Sequence, residues 1–174
     1  AHGKDSGVAA VVSGTPSGTQ QSVYRTKLLL SASPLGPASG RVRDPNGSLN
    51  DNDDLATLTW SAHTADNARI EKVAITLEGS ALASPTPSFL VSLIDPNTNL
   101  SWGGAAPVMV TPSNSKVVAS FFPNSTLTAG TNKNVTLRVN SKDFAGATNT
   151  SSDGLSASIA SAADILWGDG TTSG

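Results

Sequence analysis

The chain has 174 residues, 37% hydrophobic and 14% charged, with a net charge of −2 and no cysteine. That length suits one domain with a core of its own, and the scattered Lys and Arg exclude both the basic stripe that nucleic acid requires and a polybasic membrane-binding segment. The missing cysteine removes disulfides, thiolate nucleophiles and cysteine metal sites together, and no run of 18 apolar residues is present to span a bilayer.

The first twenty residues form an N-terminal extension. Ala1–Gly7 and Ser13–Gln20 are linker-like, rich in Gly, Ser and Thr. Between them lies a small apolar run, Val8, Ala9, Ala10, Val11 and Val12. It reads either as an ordinary first strand or as a tethered donor strand that completes the sheet of a neighbouring subunit.

Residues 21–171 read as one β-sandwich domain, followed by a short tail over 172–174. Ten Pro and 16 Gly punctuate short runs rich in Val, Ile, Leu and Thr, and no stretch keeps helical spacing. A first strand is expected over Ser22–Leu30, then a long polar loop over Ser31–Asp54. In Leu55–Ala65 the residues Ala56, Leu58, Trp60 and Ala62 alternate with Thr57, Thr59 and Ser61, so one face is buried. Further inward sets are Val73, Ile75 and Leu77; Phe89, Val91 and Leu93; Val117, Ala119 and Phe121; and Val135, Leu137 and Val139. A short strand is expected around Met109. Leu155, Ala157 and Ile159, then Ile165 and Trp167, close the domain. Asp44-Pro45-Asn46-Gly47, Asp95-Pro96-Asn97 and Ala129–Asn134 carry turn chemistry. The fold class is therefore all-β, an antiparallel sandwich of immunoglobulin-like or jelly-roll-like type with about eight to nine strands.

The order of several motifs resembles a known family. Ser22-Val23-Tyr24-Arg25-Thr26-Lys27 opens the domain. Leu55–Ala62 follows a long loop, and Ile70-Glu71-Lys72-Val73-Ala74-Ile75-Thr76-Leu77 comes next. Gly130–Val139 follows late, and Ile165-Leu166-Trp167-Gly168-Asp169-Gly170-Thr171 closes the domain. This series is similar to the immunoglobulin-like β-sandwich repeat of long surface proteins of candidate-phylum (Patescibacteria-type) bacteria. The resemblance implies an extracellular, non-enzymatic display or adhesion module; its motifs are packing and turn motifs, which specify fold more than function.

Candidate chemistry is sparse. Only His2 and His63 are histidines, no Gly-x-Ser-x-Gly elbow occurs, and the two Glu residues (Glu71, Glu78) fall on or beside one strand, so the chain is not expected to be an enzyme. No cofactor is required. Asn50–Asp54 supplies hard oxygen ligands, and Asp51, Asp53 and Asp54 are the candidate calcium ligands, although the spacing is not that of an EF-hand; a solvated loop leading into a strand explains the same residues. Glycosylation sequons stand at Asn46, Asn99, Asn124, Asn134 and Asn149. Trp60 and Trp167 belong to alternating strands and are expected in the core, whereas Trp102, beside Gly103 and Gly104, is the candidate exposed aromatic for sugar stacking.

The expected function is that of a cell-surface structural subunit, a homo-polymer forming a filament or surface-layer lattice by strand addition. The alternative is a monomeric adhesion or carbohydrate-binding module with glycans as partners.

Overall fold

The computed structural model describes residues 25–35, 52–79, 82, 88–111, 116–140 and 155–169. Within them are eleven strands: β1 Leu28–Pro34, β2 Asn52–Ala62, β3 Ala68–Glu78, β4 Phe89–Asp95, β5 Leu100–Ser101, β6 Val108–Val110, β7 Lys116–Phe121, β8 Ser125–Leu127, β9 Asn132–Asn140, β10 Ser156–Ser158 and β11 Ile165–Gly168. They form two antiparallel sheets, so the protein is all-β with the architecture of a sandwich.

The larger sheet has the order β1-β2-β9-β4-β5, with β6 also paired to β4. In the smaller sheet β3 is the middle strand; β10 and β11 pair with one side of it, β7 and β8 with the other. In an immunoglobulin constant-type domain the second sheet combines the third, sixth and seventh strands with the sixth in the middle. Here β3 takes the middle place, and β9 crosses back to sit between β2 and β4.

Eleven strands stand where eight to nine were expected. Strand pairs β7/β8 and β10/β11 each run along β3 but are interrupted, the first at Phe122–Asn124 and the second by a 3-10 turn at Ala162–Asp164. Pro123 in the first break has no N–H to give a ladder. The first strand is displaced from its expected position. It pairs with β2 from Leu28↔Ala62 to Pro34↔Ala56, into the region read as a polar loop. Ser31 and Ser33 are compatible with a strand because they stand opposite Thr59 and Thr57 on the outer face.

Two bulges keep apolar residues inward where strict alternation fails. Asp54 pairs with Arg138 and Ala56 with Leu137, leaving Leu55 as the extra residue of β2. Without that bulge Asp54 would share the inner face with Ala56, Leu58 and Trp60; with it, Asp54 turns outward. On β3, Ile70 pairs with Trp167 and Lys72 with Leu166, so the register shifts across Glu71. Ala68 and Ile70 therefore join Val73, Ile75 and Leu77 in the core, all buried.

The core lies between the sheets and includes Leu58, Trp60, Phe121, Leu93 and Leu137. Trp102 belongs to it, only 2% exposed, which corrects its reading as an exposed aromatic. The cause is the turn after it. Gly103 and Gly104 both have positive φ, 57° and 74°, and the Ala105 N–H donates to the Trp102 carbonyl at 3.0 Å. The reversal brings the indole onto Trp60, stacked with ring centroids 5.5 Å apart. The Trp60 indole N–H is buried and has no hydrogen-bond partner among the described residues. An orphaned buried donor of that kind costs about 1–3 kcal/mol.

Gly103 and Gly104 make separable demands. A Cβ on Gly103 would lie 1.8 Å from the Pro123 carbonyl oxygen, while one on Gly104 would meet nothing within 4 Å. Gly104→Ala is expected to cost about 1–2 kcal/mol for the left-handed backbone alone. Gly103→Ala adds a backbone collision and is expected to cost about 3 kcal/mol or more. Urea denaturation of the two variants checks the order.

Candidate functional site

Among the described residues the sandwich is closed along one flank and open along the other. On the closed flank the larger sheet ends in β5 and β6, and β6 runs beside β7 of the smaller sheet. The opposite flank is bordered by β1 on one sheet and by β10 and β11 on the other. Between β1 and β10 a groove of about 250 Å³ opens into the molecule. Leu30 and Ala32 of β1, Ala56 of β2, Ala157 of β10 and Ile159 line it. It reaches Ile75 and Leu137, which are otherwise core residues. The space comes from alanine at inward positions of facing strands, where a larger aliphatic residue would bring the sheets into contact.

β1 is an edge of unusual character. Rim strands in natural proteins are kept short, charged, bulged or covered. β5 and β6 are two and three residues long, β10 is three and β8 is three. β7 begins on a lysine. β1 runs for seven residues, Leu-Leu-Leu-Ser-Ala-Ser-Pro, without a charge. Leu29 on its outer face is 49% exposed. The side of β1 that faces away from β2 pairs with no strand among the described residues. The polar loop expected over Ser31–Asp54 is strand as far as Pro34; the alternation of Leu28, Leu30 and Ala32 with Leu29, Ser31 and Ser33 is the sequence signal for this edge.

The outer face of the larger sheet is polar and tied by one arginine. Arg138 on β9 donates through Nε to Asp54 Oδ1 at 2.5 Å and through Nη2 to Asp54 Oδ2 at 3.2 Å. Its Nη1 donates to Asn99 Oδ1 at 2.8 Å. The Asp54 carboxylate holds the guanidinium in its charged form, raising its pKa. Thr59 donates to Asn134 Oδ1 at 2.9 Å on the same face. At the end of the core, Lys133 pairs with Asp95. The Lys133 hydrogen bond, helped by the Asn97 N–H, lowers the Asp95 pKa below its ordinary value.

The residues singled out from sequence are dispersed. Val8, Ala9, Ala10, Val11 and Val12, Asp51, Asn46 and Asn149 lie outside the described residues. Asn52, Asp53 and Asp54 are strand rather than loop, because β2 continues its ladder with β9 as far as Asn52↔Asn140. A cation at Asp54 would have to compete with Arg138. Among the described residues no three His, Cys, Asp or Glu side chains are grouped to hold a metal ion. Asn99 and Asn124 are exposed and occupy left-handed turn positions, with φ of 55° and 44°. Asn134 is exposed on strand β9. His63 accepts the Ala65 N–H at Nδ1, 3.3 Å away. Glu71 and Glu78 pair with Arg69 and Lys116 respectively. No helix of the described residues is long and apolar enough to cross a membrane.

Because the Asp95 pKa is lowered on folding, its contribution to stability is present above the unfolded carboxylate value of about 3.9 and fades as pH falls through the folded one. Asp95→Asn is thus expected to destabilise at pH 7, and its difference in stability from the parent protein to shrink as the pH falls below the unfolded carboxylate value. Denaturant midpoints of both proteins across that range check the sign.

Comparison with protein-family models, curated proteins and solved structures finds no match to the chain, so its own geometry and chemistry bear on what it does.

Proposed function

We propose that the protein is an extracellular structural subunit that assembles with copies of itself through the open flank, giving a filament or a surface lattice. The observation that carries this reading is the long, uncharged edge of β1 beside an apolar groove. A solvent-exposed edge of that kind is a template for pairing with another chain. An edge contact between one surface and a different surface of the next copy propagates into an open array wherever its rotation does not close a ring. The richness in Ser, Thr and Asn agrees with a place outside the cell, as does the resemblance of the strand motifs to surface-protein repeats. No catalytic step is assigned. The alternative of a sugar-binding module loses its candidate stacking residue, since Trp102 is core.

Negative-stain electron microscopy and light scattering of the full chain test the reading. Regular filaments or sheets are expected. A monomer at every concentration would overturn it. Placing lysine on the outer face of β1, with Leu29→Lys and Ser31→Lys together, is expected to suppress assembly while leaving the melting temperature within a few degrees.

A further inference from the structure

We infer that the groove between β1 and β10 is the acceptor for residues Val8–Val12 of a second copy, and this rests on the assembly reading above. Two kinds of partner are needed at this flank: a strand whose main chain completes the β1 ladder, and apolar side chains that fill the groove. Val8–Val12 supplies both. It is the one run of five consecutive apolar residues in the parts of the chain outside the described residues. An extended run of five residues covers about 17 Å, enough to pair with five of the seven residues of β1. By the two-residue period, Val8, Ala10 and Val12 share a face. They meet a groove walled by Leu30, Ala32, Ala157 and Ile159. The two valines occupy the space left by the alanines, and Ala10 permits close approach of the backbones.

The tether fits the span. The described chain begins where the Arg25 N–H donates to Asp169 Oδ2 at 3.2 Å, at the end of β11 and hence on the open flank. Residues 13–24 separate that point from Val12, and twelve residues extend to about 40 Å at most. That is enough to reach an adjoining subunit. Strand addition of this form draws affinity from main-chain hydrogen bonds and selectivity from alternate side chains in pockets.

Two complementary variants of the full chain test the inference. Val8→Asp with Val12→Asp disables the donor and leaves the groove intact. Ala157→Trp fills the groove and leaves the donor intact; Ala32→Trp, from the facing wall, replaces it should circular dichroism show misfolding. Each variant alone is expected to be a folded monomer by light scattering. An equimolar mixture is expected to give a 1:1 heterodimer, because the donor of the groove-filled variant enters the groove of the donor-dead one. If both variants assemble as the parent does, the assembly reading survives and this donor–acceptor pair is wrong. If the parent assembles, each variant is monomeric and the mixture stays monomeric, exchange between copies is likewise overturned. A parent protein that never assembles removes the reading on which the inference stands.

Discussion

A strand at the rim of a sheet leaves the main-chain N–H and C=O groups of its outer side without a ladder, and among the described residues β1 is such a strand over seven residues. The molecule depends on how that constraint is met. Elsewhere in the described residues the rims are short, carry a lysine, or run beside another strand. No described strand pairs with the outer side of β1, and water does nothing for Leu30, Ala32, Ala56 and Ala157 in the groove behind it. A segment that pairs with the edge and buries these residues answers both needs at once. This coupling is the ground for the partner strand proposed at β1.

The rest of the sandwich is built to tolerate an unfilled flank. The Trp60–Trp102 stack lies in a core anchored on β2, β3, β4 and β9, with the 3-10 turn of Trp102 pressed against Pro123. Phe121, Leu93 and Val91 are fully enclosed there. The larger sheet is additionally tied on its outer face by Arg138, which spans β2, β9 and the turn after β4 through Asp54 and Asn99. With charged residues at 14% of the chain, such ties are few. The polar faces rest instead on Ser, Thr and Asn, whose hydroxyl and amide groups hydrogen-bond without the repulsion or salt sensitivity of charges.

The bulges at Leu55 and Glu71 link local sequence to surface chemistry. Each adds one residue to a strand and so exchanges the faces on either side. At Leu55 the exchange puts Asp54 on the outer face with Arg138 in place of burial beside Ala56. At Glu71 it lets Ala68 and Ile70 share the core with Val73. A charged residue inside and an isoleucine outside would be the result of an unbroken period of two.

Composition and two-residue periodicity by themselves determined the all-β class, the sandwich and most of its core: Leu58, Trp60, Val73, Ile75, Leu77, Val91, Leu93, Val135, Leu137 and Val139 are buried as their alternation requires. These follow from near-neighbour geometry, since alternate side chains on a pleated strand must face opposite ways. The place of Trp102, the reach of β1 into a serine-rich stretch, the outward turn of Asp54 and the groove were decided by tertiary structure. Each depends on a residue distant in sequence: Pro123 against Gly103, β2 against β1, Arg138 opposite Asp54, and Ala157 across the gap from Ala32. A polar residue on an outer face and a small residue facing a gap leave no periodic signal that separates them from a loop or a tightly packed core, so only the pairing of distant strands shows where the sandwich stays open.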